Sequence, residues 1–266
     1  MPFELLRFEM LLPAFALVLA RVAGVVLAIP MVSSVSIPRE VKVGLTFALS
    51  LMLFPMAAPY LPQSVTLGQA VAGMVGELLI GEIIGLGAGV MFFAAEMAGK
   101  FISHQAGLAL GTVFNPFFDE ESTVLDQLWF FTAAMIFMAL RGHIATVTVL
   151  MESFKLAPPM MTSFDGGMGD YAVAIIQSTF QVGLRLSGPT ILALLLSSLV
   201  MGFLTRTMPQ INILSVGFAV KIVIALFVMG ATISFSEDVL GAMMYDGLEH
   251  ASILFANMGE AVKHGG

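Results

Sequence analysis

The chain has 266 residues, of which 58% are hydrophobic and only 11% charged, whereas soluble domains carry about 25% charged residues. So few charges cannot cover a water-facing surface, so that surface must meet lipid or other proteins equally poor in charge. A net charge of −7 without any basic cluster argues against nucleic acid and anionic lipid surfaces as partners, and the absence of cysteine removes disulfides, thiolate metal sites and cysteine nucleophiles.

In chain order, the opening MPFELLRFEM places Glu4 and Glu9 where a signal peptide has its positive region, and Pro13 and Arg21 interrupt the apolar run behind it. That run is read as a membrane helix. A helix needs about 20 apolar residues to cross a bilayer. Six segments approach this, at 10–32, 41–58, 68–95, 127–151, 171–205 and 211–236. Together they predict an all-α integral membrane protein. Charges interrupt most of them: Arg21 in the first, Glu77 and Glu82 in the third, Arg185 before Pro189 in the fifth, Lys221 in the sixth. One such residue costs about 2.5–3.5 kcal/mol on insertion scales. The pattern therefore predicts helices that pack against protein or water as much as lipid.

The connections are short. Residues 33–40 form a polar turn with Pro38, and Arg39 and Lys42 place it on the cytoplasmic side by the positive-inside rule. The proline-rich stretch 59–66 stops a helix, 163–170 is a glycine-rich loop, and 205–212 breaks the last apolar stretch into a helical hairpin. Beyond it Leu240, Met244, Leu248, Ala251, Phe255 and Met258 recur at steps of three and four, with Asp238, Asp246, Glu249, Asn257 and Glu260 on the other side. That spacing predicts an amphipathic helix over 237–260.

Several features could carry function. Gly81, Gly85 and Gly89 make one smooth helix face on which another helix can approach closely. No strand precedes them, so a dinucleotide loop is excluded. Glu77 and Glu82 are either proton- or ion-coupling carboxylates or structural acids, placed near a helix start or paired with Arg or Lys of a neighbouring helix. Glu96 and Lys100 are spaced to neutralise each other. The stretch from Gly107 to Asp126 begins apolar, breaks at Asn115 and Pro116 and ends in acids. Apolar non-helical backbone is tolerated at membrane depth only where protein buries it or it lines a cavity, which leaves a pore-occluding loop and a plain extramembrane connection both open. HExxH, GxSxG and GxxxxGK[ST] are absent and the four histidines are scattered, so neither an enzyme, a metal nor a cofactor is expected. The twenty methionines suit irregular packing.

Arg21, Pro30 and Pro38 followed by Arg39 and Lys42 resemble the opening of the FliR family and its injectisome counterparts. The resemblance continues through Gly81, Gly85, Gly99, Gln105, Gly107, Leu108, Asn115 and Pro116, then Gly142, His143, Ser153, Phe154 and Pro158. Its most specific block is Leu204, Arg206, Pro209, Gln210 and Asn212, followed by Gly217, Phe218 and Lys221. Asn115 stands where the family pattern has Asp, and Gly111 where it has bulkier residues or alanine.

The resemblance implies a core subunit of the flagellar type III export gate, in the inner membrane at the flagellar basal body. Residues 1–180 would be a P-like helical region, 181–240 a Q-like helical hairpin, and 241–266 an amphipathic C-terminal helix and tail, built into a multi-subunit helical assembly. FliP and FliQ would be its partners in a channel for unfolded substrates, with FlhB and FlhA as further partners and membrane lipid around it. A loop over about 107–122 would plug the closed pore, with Leu110, Val113 and Phe114 facing it and Gly107, Leu108, Asn115, Pro116 and Phe117 shaping it. The competing expectation is a proton-coupled small-solute transporter built on Glu77 or Glu82.

Overall fold

In an apolar surrounding, the backbone must bond to itself, and a helix does so within one segment. The computed structural model describes residues 2–34, 36–62, 66–108, 123–160, 167–207 and 213–264, and no strand occurs among them. The helices are α1 (Pro2–Ala28), α2 (Pro30–Ser33), α3 (Arg39–Ala57, extended by a 3₁₀ turn at Ala58–Tyr60), α4 (Leu67–Ala106), α5 (Val124–Ala139), α6 (Gly142–Leu156), α7 (Gly167–Thr207) and α8 (Ile213–His264). Five of them are long and apolar enough to cross a membrane, and α5 with α6 would make a sixth, broken span. The chain is an all-α membrane protein.

Local chemistry fixes the ends. Thr66 and Gln69 cap α4 reciprocally: the Thr66 N–H donates to Gln69 Oε1 at 3.0 Å, and the Gln69 N–H to Thr66 Oγ1 at 3.4 Å. Pro30 opens α2 and Pro38 is the N-cap of α3, positions where a missing N–H costs nothing. Lys42 Nζ reaches back to the Ser33 carbonyl at 2.7 Å and ties this turn to the start of α3. The Thr46 and Ser50 hydroxyls are satisfied within their own helix, each donating to the carbonyl four residues back.

Two expectations are corrected. The run 127–151 is not one helix: α5 ends at Ala139 and α6 begins at Gly142, because Arg141 adopts a left-handed backbone with φ 55° and ψ 36°. A period of 3.6 does not register a break made by a single residue. The sixth segment and the tail are not separate helices either, since α8 runs unbroken for 52 residues. Its amphipathic end is as expected: Leu240, Met244, Leu248, Ala251, Phe255 and Met258 are all buried, while Asp238, Asp246, Glu249 and Asn257 are exposed.

The chain forms two compact units. The first comprises residues 1–90, 141–175 and 244–266, and the second 91–140 and 176–243. In the first unit α1 packs on α3 through Phe15, whose ring meets Phe47 and Phe54 edge-on at 5.7 and 5.6 Å. Leu17, Val22, Ile80, Ile84, Leu150 and Phe154 fill its core. In the second unit Phe92 is flanked by Phe130 and Phe137 at 5.5 and 5.4 Å, beside the buried Trp129.

Candidate assembly and gating site

Arg21 of α1 lies in the interior of the first unit with no exposed surface, and Glu77 of α4 is 1% exposed. Arg21 Nε donates to Glu77 Oε2 at 2.7 Å, Nη1 to Ser153 Oγ of α6 at 3.0 Å, and Nη2 to the Ala157 carbonyl at 2.9 Å. The guanidinium also stacks on Phe154, 4.4 Å from the ring centre. The other carboxylate oxygen, Glu77 Oε1, accepts the Met160 N–H at 3.2 Å. That bond holds Met160 in a left-handed conformation, φ 64°, which a methionine rarely adopts unaided. One charge pair thus fastens α1, α4, α6 and the segment following α6.

Backbone approach accompanies this pair. A side chain on Gly81 would collide with the Arg21 carbonyl, one on Gly24 with the Leu78 carbonyl, and one on Gly85 with Ala28 Cβ at 2.6 Å. The small face of α4 therefore receives α1, and Gly89 is also buried. Further along, a side chain on Gly87 would meet the Gly247 carbonyl of α8 at 2.6 Å. There the Tyr171 hydroxyl of α7 donates to the Ile83 carbonyl at 3.0 Å.

In the second unit, α4 ends where the expected loop begins. Gly107 turns left-handed at φ 87°, and its N–H and that of Leu108 both return to the Ser103 carbonyl, at 3.1 and 3.0 Å. A side chain on Gly107 would strike the ring of Phe218. Across the connection, Asp126 of α5 is 2% exposed. Its Oδ1 accepts from Ser103 Oγ at 2.8 Å and from Thr123 Oγ1 at 2.7 Å, and its Oδ2 accepts the Thr123 N–H at 2.9 Å. The Ser103 and Thr123 hydroxyls also touch. Gly99 lets the backbones come together, since a side chain there would meet Asp126 Cα at 2.5 Å. Both ends of the 107–122 segment are thereby fastened at one point.

Other expected site residues are more dispersed. Arg206 is exposed at the last turn of α7, Lys221 is half-buried on α8, and Glu82 is half-buried on α4. Leu110, Val113, Phe114, Asn115, Pro116 and Phe117, and also Pro209, Gln210 and Asn212, lie outside the described residues. Glu96 and Lys100 pair at 2.9 Å on an exposed face, a contact of little energetic weight. No group of three or more His, Asp or Glu residues among those described could hold a metal. The arrangement makes mechanical ties between helices.

Sequence reasoning missed Asp126 and Ser103. The first could have been found, because Thr123-Val-Leu-Asp126 before an apolar run is a capping-box pattern. Tyr171 carried no signal, because its partner is a backbone carbonyl, and Ser153 entered only through the family resemblance, because its partner is a distant arginine.

Long apolar helices, a buried charge pair and glycine-mediated crossings define a polytopic helical membrane protein. A family model described as bacterial export proteins, family 1, matches residues 12–246. Similar proteins include the flagellar biosynthetic protein FliR of Pectobacterium carotovorum subsp. carotovorum, 30% identical over 79% of this chain and 80% of its own. The FliR of Bacillus subtilis is 27% identical over 82% and 85% of the two chains. The secretion system apparatus protein SsaT of Salmonella typhimurium is 29% identical over 59% and 61%. The chain belongs to this family of bacterial export proteins, as a membrane component of the export apparatus.

Proposed function

We propose that this export protein is a core subunit of the flagellar type III export gate, in the inner membrane at the basal body. With FliP and FliQ it forms the channel through which unfolded flagellar substrates pass, and FlhB and FlhA are further partners. Residues 1–180 supply the P-like part, 181–240 the Q-like hairpin and 241–266 the tail. The observation that carries this reading is the length and exposure of the C-terminal helices. α7 and α8 have 41 and 52 residues, so at about 1.5 Å per residue they extend roughly 60 and 80 Å, against a hydrocarbon core of about 30 Å. Only 17% and 22% of their most apolar stretches are buried. Lipid alone cannot cover helices of that length, whereas neighbouring subunits can.

Closure is physical in this account. An apolar segment filling the pore excludes water and ions, and such constrictions gate by dewetting. The tie between Ser103, Thr123 and Asp126 supports it by fixing where that segment leaves and re-enters the helices. The transporter alternative is weaker, because Glu77, one of its two carboxylates, is bound to Arg21 in the interior. Replacing residues 107–121 by a short flexible linker in the assembled complex is expected to raise ion leak across the membrane. Unchanged conductance from a complex of normal composition would overturn the plug.

A further inference from the structure

Unlike the longer helices, α3 matches a bilayer in length. With its terminal turn it runs from Arg39 to Tyr60, 22 residues, which at about 1.5 Å each rise roughly 33 Å, close to a hydrocarbon core of about 30 Å. No charged residue follows Lys42 within it. Tyr60 is exposed at the far end, where aromatic rings favour the membrane–water boundary.

The polarity of α3 is turned inside out. Thr46 and Ser50 are buried and bond within the helix, whereas Val41, Val43, Leu45, Phe47, Leu51 and Met52 are exposed. At 3.6 residues per turn these exposed positions span more than half of the helix circumference. One neighbouring helix would cover a narrower stripe. Hydrocarbon chains cover the whole arc.

At the charged end of this helix Arg39, Glu40, Val43, Gly44 and Phe47 line an open groove of about 580 Å³. Arg39, Val43 and Phe47 stand in one row at steps of four, with Glu40 and Gly44 in the next. Gly44 leaves a notch between the rows, since nothing lies within 4 Å of where its side chain would begin. Adjacent helix positions do not face each other, and neither Arg39 nor Glu40 has a hydrogen-bond or ion-pair partner among the described residues. Lys42, the other cation of this turn, is spent on the Ser33 carbonyl. The groove thus carries one free charge of each sign at the membrane boundary and apolar walls leading inward. A phospholipid fits it with its phosphate on Arg39 and an acyl chain along Val43 and Phe47. Glu40 selects the headgroup: a glycerol headgroup leaves it facing a net negative lipid, and a trimethylated ammonium has no N–H to donate. A primary ammonium has three, and its hydrogen bond to a carboxylate is charge-assisted.

We propose that this groove of α3 binds one phospholipid with a primary-amine headgroup, its phosphate on Arg39 and its ammonium on Glu40. The site is formed by α3 alone, so it does not depend on the gate reading. The test replaces Val43 by a photo-crosslinking amino acid in the full chain, reconstituted into vesicles of equal parts phosphatidylethanolamine, phosphatidylcholine and phosphatidylglycerol with the same acyl chains. After irradiation, mass spectrometry is expected to find the phosphatidylethanolamine adduct in about threefold or greater excess over each of the others, as one partly exposed ion pair allows. Glu40→Gln, an exposed position whose change leaves folding intact, is expected to bring that adduct down to the level of phosphatidylcholine.

Adducts in the proportions of the mixture overturn the proposal. So does a preference that Glu40→Gln leaves unchanged. Irradiation of the same Val43 variant in membranes containing FliP and FliQ supplies the second arm: attachment to a phospholipid is expected, and attachment to a protein helix overturns the site.

Discussion

Arg21 of α1 and Arg185 of α7 both stand well inside apolar helices, and they have opposite surroundings. Arg21 has no exposed surface and spends its guanidinium on Glu77, Ser153, the Ala157 carbonyl and the face of Phe154. Arg185 is exposed on α7 without a partner among the described residues. The first charge is answered by the chain's own fold. The second meets no partner in the described part of the fold. The helices around them differ in the same sense, since 72% of the most apolar stretch of α4 is buried but only 17% of that of α7. An intramembrane charge by itself does not distinguish a site of folding from a site of assembly. Burial and bonding do.

The largest expected effect breaks the self-contained side of this comparison. Arg21→Ala or Glu77→Ala leaves a buried charge without its partner and should cost about 3–5 kcal/mol, whereas Arg21→Met with Glu77→Leu should recover most of that loss. Thermal unfolding of the purified chain in detergent measures it, and singles no worse than the double would mean that the pair is not a buried tie. Next is Gly81→Ala, which places a methyl group against the Arg21 backbone carbonyl. Backbone cannot rotate away, so about 1–3 kcal/mol should be lost, read from the same melting curve.

Asp126→Ala removes the capping box and its bonds to Ser103 and Thr123, for about 1–2 kcal/mol. Asp126→Asn should fall between it and wild type. Hydrogen exchange in the first turn of α5 checks both, and protection as in wild type would remove Asp126 from the account. The smallest effect is the most discriminating for α8. Gly230 has nothing within 4 Å of where a side chain would begin, so Gly230→Ala should stabilise the isolated chain by up to about 1 kcal/mol through helix propensity. If a partner helix packs closely there, the same change should weaken the assembled complex.

The sequence made the membrane helices legible because apolar length is additive along the chain, and it made the amphipathic end of α8 legible because Leu240 to Met258 keep one helical period. Arg21 and Glu77 stood out for the same reason, as charges where none is expected, and pairing with a basic residue on another helix was one of two readings open for Glu77. That the residue is Arg21, and that Ser153 and the Ala157 carbonyl complete the set, depends on helix crossings far apart in sequence. Gly24 shows the limit from the other side. It carries no pattern of its own, yet α1 approaches α4 there as closely as at Gly81. The break at Arg141 was hidden because one left-handed residue leaves apolar composition unchanged.

The open faces of α7 and α8 are expected to be covered by other subunits. The direct measurement is co-expression with FliP and FliQ, purification through a tag on this chain, and native mass spectrometry of the intact particle. The account predicts one discrete mixed assembly containing one or a few copies of this chain. A stable particle of this chain alone, with FliP and FliQ absent, would contradict it.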